Sequence, residues 1–361
     1  MQEAIIIHDI VKVSAALAVS FFLGIAIAPF WTNFLYAKQM WKKTSGKISI
    51  TGEPATVFSE LHKNKAIGTP RMGGVIIWGS VLLTIFVTWA WSIFFPTAAT
   101  VKLNFLSQNQ TWLPLFTLIA ASLTGLVDDL LQIWGGVGSY KAGGLSLAKR
   151  LLIVTAIGLI GAWWFYFKLE VSTIFVPFLG NIDIGVLFIP FFILVMIGLF
   201  SGGVIDGIDG LSGGVMATIF AAYAGIAFLQ NQIDLAAFCA AIVGGTMAFL
   251  WFNIPPARFY MTETGILGLT ATLAVVAFLT DAVVPLLIIA FPLVITTLSD
   301  VIQVSSKKLR GGKKVFLVAP LHHHFEAIGW PAYKVTMRYW IFSIICAVLG
   351  MVITVLGKIL V

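Results

Sequence analysis

Ten apolar stretches, each close to the roughly 20 residues that a helix needs to cross a bilayer, leave this chain few ways to fold. They fall at about 13 to 36, 72 to 95, 112 to 131, 147 to 167, 185 to 203, 211 to 230, 235 to 252, 265 to 280, 283 to 303 and 337 to 358. Hydrocarbon offers backbone N–H and C=O groups no water, so stretches of this length read as helices. Composition agrees: 59% of residues are hydrophobic and 10% charged, where a soluble domain carries roughly 25% charged residues. The expectation is an all-α polytopic membrane protein of about ten transmembrane helices, folded as one integral-membrane domain over 1–361. No internal repeat is visible. The cytoplasmic loops are expected at 37–71, 132–146, 204–210, 253–264 and 304–336.

The formal charge of +7 invites a nucleic-acid reading, but its placement argues against one. Eighteen of the 22 basic residues fall in or beside connections that follow odd-numbered spans, and only Lys12, Lys102, Lys168 and Lys358 lie on the other side. This positive-inside asymmetry puts the odd connections in the cytoplasm and both termini outside. The N-terminal stretch starts acidic, carries an apolar run too long for a signal peptide and has no small-residue cleavage site, so it is expected to remain as the first helix. Residues 171–186, rich in β-branched side chains around Gly180-Asn181, predict a small hairpin on the outer surface. Cys239 and Cys346 both lie inside apolar runs and read as packing residues.

The acids sort by side. Asp128 and Asp129 end the third span, Asp206 and Asp209 lie between the fifth and sixth, and Glu263 lies between the seventh and eighth. All five fall at the cytoplasmic boundary, together with Asn253, Lys149, Arg150 and the triplet His322, His323 and His324. Acids at membrane helices are costly, and by default they mark a functional site. In "DGIDG" the i, i+3 spacing lets Asp206 and Asp209 face one cation, with glycines permitting close backbone approach; an ordinary Asp/Gly turn is the alternative. For "LVDDL" the alternative is a solvated helix end. Three consecutive imidazoles do not make a tetrahedral zinc set; one or two are expected to donate to an anion while another packs, or the loop is simply exposed. "GTPRMGG", with Lys63, Lys65 and Arg71 near it, has the form of an anion-holding helix entry. Oxygen-only ligands favour Mg²⁺ or Mn²⁺, and a hard cation beside basic residues equips a site for phosphoryl chemistry. At a membrane edge, a lipid phosphate can there meet a soluble phosphate-bearing donor.

"GTPRMGG", the Asp128-Asp129 pair, "DGIDGL", "FLWFN" and "APLHHHFEAIGWPAYKVTMRYWI" resemble the phospho-N-acetylmuramoyl-pentapeptide transferases, in the wider superfamily of polyprenyl-phosphate sugar-1-phosphate transferases. The resemblance runs from about residue 60 to the C-terminus and implies ten helices with both termini outside. It implies Mg²⁺-dependent transfer of phospho-MurNAc-pentapeptide from UDP-MurNAc-pentapeptide to undecaprenyl phosphate, releasing UMP, at the cytoplasmic face of a bacterial inner membrane. Membrane lipid is then a partner, and a homodimer is one assembly it allows. Asp128, Asp129, Asp206 and Asp209 match the catalytic acids. Asn253 matches the asparagine of the Trp-Phe-Asn motif, and the three histidines match the nucleotide-sugar loop. Thr69 matches the first cytoplasmic motif, as does Lys65 with a one-residue insertion. The family's fourth-helix lysine falls on Arg150, with Lys149 beside it. Three positions depart: Glu263 stands at an expected aspartate Mg²⁺ ligand, with Asp209 the second ligand, Thr262 stands at a glycine, and Gly203 at an asparagine. Transfer of another UDP-linked N-acetylhexosamine phosphate, or a silent lipid- or nucleotide-binding homologue, are the competing readings.

Overall fold

Backbone in a bilayer satisfies itself by winding into helices or closing a barrel. The computed structural model describes residues 2–42, 68–135 and 144–360, and these are helical almost throughout. In order they form α1 (Gln2–Ala37), α2 (Val75–Phe94), a short α3 (Ala98–Leu103), α4 (Trp112–Trp134) and α5 (Leu147–Trp163), which a π-helical turn, Trp164–Lys168, continues. A strand pair follows, β1 (Thr173–Val176) and β2 (Gly180–Asp183), then α6 (Phe188–Gly202), α7 (Leu211–Leu229), α8 (Ile233–Asn253) and α9 (Thr262–Leu279). The chain ends with α10 (Leu286–Ile289), α11 (Phe291–Leu309), α12 (Leu321–Ala327) and α13 (Ala332–Ile359).

Nine helices among the described residues are long and apolar enough to cross a membrane, one fewer than the ten expected. The exception is the stretch at 283–303. It breaks at Ala290, and Pro292 then sits in the first turn of α11, where a missing N–H costs nothing. Helix α11 is amphipathic with its polar side inward: Thr296, Ser299, Gln303 and Ser306 are buried, while Leu298, Val301, Ile302 and Val304 are exposed. It runs on to Leu309, and α12 lies within the stretch read as the loop 304–336. Likewise Glu263 belongs to the first turn of α9 rather than to a loop.

Helices α7, α8 and α9 form the centre, with 72%, 78% and 89% of their spanning windows buried against 17% for α1. Their hydroxyls cost little in this apolar setting because they bond back along the helix: Thr246 to the Ile242 carbonyl, Thr270 to Ile266 and Thr272 to Gly268. Around this centre α4 packs along α9, α1 along α8 and α13 along α7. The hairpin forms, but Gly180 and Asn181 open its second strand instead of making its turn. The turn is Pro177-Phe178-Leu179, with Phe178 at φ +67, and it packs on Gly357 near the end of α13, the end of the bundle opposite the acids.

Candidate active site at the acidic end of the bundle

Close helix contact brings the first two acids in. A Cβ on Gly125 would lie 2.0 Å from the Glu263 carbonyl oxygen, so glycine lets α4 lie directly on the start of α9. One turn further along α4, Asp129 reaches Thr262 and Thr264 at the start of α9 while Asp128 turns toward Arg150, and both are buried, at 0% and 1% exposure. Buried carboxylates need partners. Asp129 Oδ1 accepts from Arg71 Nη2 at 2.8 Å and Nε at 3.1 Å. Its Oδ2 accepts from the Thr262 hydroxyl, and from the hydroxyl and N–H of Thr264 at 2.6 and 3.1 Å. Asp128 Oδ2 accepts from Gln132 at 2.7 Å and pairs with Arg150 Nη2 at 2.9 Å.

Arg150 does two jobs. While Nη2 holds Asp128, Nη1 lies 2.5 Å from Glu263 Oε1, so one guanidinium ties α5 to both α4 and α9. Arg150 and Glu263, 113 positions apart in sequence, therefore touch each other. Neighbouring Lys149 is exposed and stays out of the cluster.

The second acidic pair sits on the turn between α6 and α7. Asp206 accepts from the Ser212 hydroxyl at 2.6 Å and from the Thr262 N–H at 2.9 Å. Burial pushes its carboxyl above the ordinary aspartate range, and these two hydrogen bonds pull the other way. Asp209 is the least engaged of the four aspartates: its carboxylate meets one described donor, the Ala257 N–H, at 3.4 Å. Asn253, 3% exposed, fastens this turn by accepting from the Gly210 N–H and donating to the Phe259 carbonyl, each at 2.8 Å. Both ends of its amide are thus committed to backbone.

The histidines divide two to one. A Cβ on Gly207 would lie 2.5 Å from His322 Nε2 and 2.7 Å from His323 Nε2, so both imidazoles rest on the backbone between Asp206 and Asp209. His323 Nδ1 bonds Glu326 at 2.7 Å. His324 turns away, taking the Leu317 N–H on Nδ1 at 3.2 Å and packing on Phe316. The polar stripe of α11 holds this loop: Gln303 binds the N–H groups of Val315 and Phe316 and the Phe316 carbonyl, and Ser299 accepts from the Leu321 N–H. Thr69 bonds Tyr260, whose phenol burial pushes up against that bond. The same edge runs beside 260–262, with Gly73 N–H donating to the Tyr260 carbonyl at 2.8 Å. Lys65 lies outside the described residues.

Reading the sequence alone marks Thr262 only as a departure and misses its bonding role, and it misses Thr264, Ser212, Gln132 and the anchoring stripe on α11. Only the stripe has a visible signal, polar residues recurring every three or four positions in an otherwise apolar helix. Among the described residues no three His, Cys, Asp or Glu side chains converge as a protein-only metal cage. Mg²⁺ does not require one, since it commonly takes one or two carboxylates plus substrate phosphates and water. Asp209, which meets one donor among the described residues, and Glu263, whose Oε1 is held by Arg150, fit that description in kind.

A family model described as glycosyl transferase family 4 matches residues 111–281, which span both acidic pairs and Glu263. Curated relatives cover nearly the whole chain. A phospho-N-acetylmuramoyl-pentapeptide-transferase of Chloroflexus aggregans is 31% identical, over 96% of this chain and 91% of its own. That of Geobacillus thermodenitrificans is 33% identical over 94% and 97%, and that of Anoxybacillus flavithermus 36% over 81% and 86%. This multi-pass membrane chain belongs to the phospho-N-acetylmuramoyl-pentapeptide transferase family.

Proposed function

We propose that this protein transfers phospho-MurNAc-pentapeptide from UDP-MurNAc-pentapeptide to undecaprenyl phosphate, forming the first lipid-linked precursor of peptidoglycan and UMP. The site faces the cytoplasm of a bacterial inner membrane, where the basic loops lie. The observation that carries the reading is the convergence of four aspartates, Glu263, two arginines and two histidines at one end of the bundle, in a chain related along most of its length to named transferases.

The acceptor monoester has a second pKa near 6 and is mostly dianionic at neutral pH. One of its oxygens attacks the sugar-linked phosphorus of the donor, a P–O–P bond to the lipid forms, and the bond to the UMP phosphate breaks with its electron pair leaving on UMP. Proton removal is a small part of this, so positioning and charge stabilisation do most of the catalysis. Asp128 and Asp129, tied to Arg150 and Arg71, set where those two guanidinium groups sit. His322 and His323 border the turn on which Asp206 and Asp209 stand and meet the nucleotide-sugar phosphates. Asp209 and Glu263 would be the protein ligands of Mg²⁺ or Mn²⁺, which when bound would supply positive charge to stabilise the transferring phosphates.

The test supplies radiolabelled UDP-MurNAc-pentapeptide, and in parallel UDP-GlcNAc, with undecaprenyl phosphate and Mg²⁺. Labelled lipid from the muramoyl donor is the expected result. Label from UDP-GlcNAc alone would change the substrate, and no lipid from either donor would leave a silent homologue.

A further inference from the structure

We propose that Thr262 is a positioning residue whose hydroxyl and N–H lock Asp129, Asp206 and the loop before α2 into one fixed arrangement, a role that rests on the transfer proposed above. Thr262 has φ +56, in the left-handed region that β-branched residues avoid. Backbone strain of this kind persists only where surrounding contacts over-determine it.

Here the contacts point to three segments distant in sequence. The Thr262 N–H donates to Asp206 Oδ2 at 2.9 Å. Its Oγ1 accepts from the Met72 N–H at 3.1 Å and lies within hydrogen-bond reach of two acceptors, Asp129 Oδ2 and the Met261 carbonyl, the latter at 2.8 Å. A hydroxyl has one hydrogen to give, and the ionised carboxylate is the stronger acceptor. The hydroxyl thus donates to one acid while accepting from the loop, and the backbone of the same residue holds the other acid. Glycine would relieve the strained φ but surrender both side-chain bonds. Valine would keep the shape and the strain and lose the same bonds, whereas serine would keep the bonds with less crowding.

Kinetics of Thr262→Val, Thr262→Gly and Thr262→Ser, each with a thermal melt, separate positioning from bulk stability. Amide hydrogen exchange over residues 68–76 is measured on the same purified proteins without substrate. Valine and glycine are each expected to lower kcat by roughly tenfold to a hundredfold, the scale of a hydrogen bond to a charged group. KM for donor and acceptor should stay within about threefold, and exchange over 68–76 should quicken. Serine should restore most of the rate and the slow exchange. Parent-like kcat and exchange in the glycine variant would overturn the proposal, as would a serine variant that behaves like valine, or losses that follow melting temperature alone. A parent protein that makes no lipid product overturns the transferase reading instead, and the exchange measurement still decides whether the Thr262 hydroxyl holds the loop.

Discussion

Each acid at the site has a different degree of freedom, and this sorts their roles. Asp129 is saturated by Arg71, Thr262 and Thr264, which suits a carboxylate that organises others. Asp209 keeps most of its carboxylate uncommitted to described residues. Asp209→Asn is therefore expected to cut turnover by two orders of magnitude or more, about 3 kcal/mol of transition-state stabilisation, with the melting temperature little changed. EDTA should abolish activity in the parent protein, and Mg²⁺ or Mn²⁺ restore it. Lipid product measured against metal concentration checks both, and a folded, fully active Asp209→Asn protein would remove it from the site. The contact between Arg150 and Glu263 predicts coupling. Glu263→Asp alone withdraws the carboxylate by about one bond length, 1.5 Å, and Arg150→Lys alone replaces the two separate guanidinium nitrogens that hold Asp128 and Glu263 with a single ammonium. The double variant, which shortens both partners of the contact, should retain more activity than the product of the single losses, by roughly 0.5 to 3 kcal/mol in a double-mutant cycle. Additive losses would show that the two positions act independently.

The element that behaves least like its sequence is α11. Its inward polar stripe grips the loop that carries the histidines, through Ser299, Gln303 and Ser306. Gln303 satisfies two N–H groups and a carbonyl at once. Gln303→Leu would strand those backbone groups, at roughly 1 to 3 kcal/mol for an unmet buried partner. The expected outcome is a donor KM raised at least severalfold with acceptor KM unchanged, because in the proposed function this loop's histidines meet the nucleotide-sugar phosphates. Steady-state kinetics with each substrate varied in turn checks this. Equal rises in both constants would assign Gln303 to general stability. Hydropathy counts α11 as one more span at 283–303, yet its break at Ala290 and its reversed polarity come from what packs against it.

At the scale of the molecule, the acidic site and the hairpin lie at opposite ends of the bundle, and orientation follows from charge. Eighteen of 22 basic residues fall in or beside the connections that follow odd-numbered spans, and the positive-inside rule is the basis on which we propose that the acidic end faces the cytoplasm. Both native cysteines are buried, so single cysteines introduced at the surface report cleanly. Lys313→Cys, in the histidine loop, should react with an impermeant thiol reagent only after the membrane is opened, and Asn181→Cys, on the hairpin, in intact cells or spheroplasts. The reverse pattern would invert the protein in its membrane.

The sequence by itself determined the membrane-spanning class, nearly every span and the candidate acids, because bilayer thickness and the cost of buried charge act on composition and position without knowledge of the fold. The family was legible in the same way, from motifs such as "DGIDGL" and "LHHHFEAIGW" that survive as strings. Tertiary structure alone decided which groups meet. Nothing in sequence distance joins Arg150 to Glu263, or Thr262 to Asp129, Asp206 and Met72. Lys149 and Arg150 are adjacent and equally basic, yet only Arg150 reaches the acids, because successive residues on a helix point about 100° apart and one face alone turns toward α4 and α9. The three histidines part company for the same reason. Hydrogen bonds and ion pairs are satisfied in space, and their partners are chosen by packing.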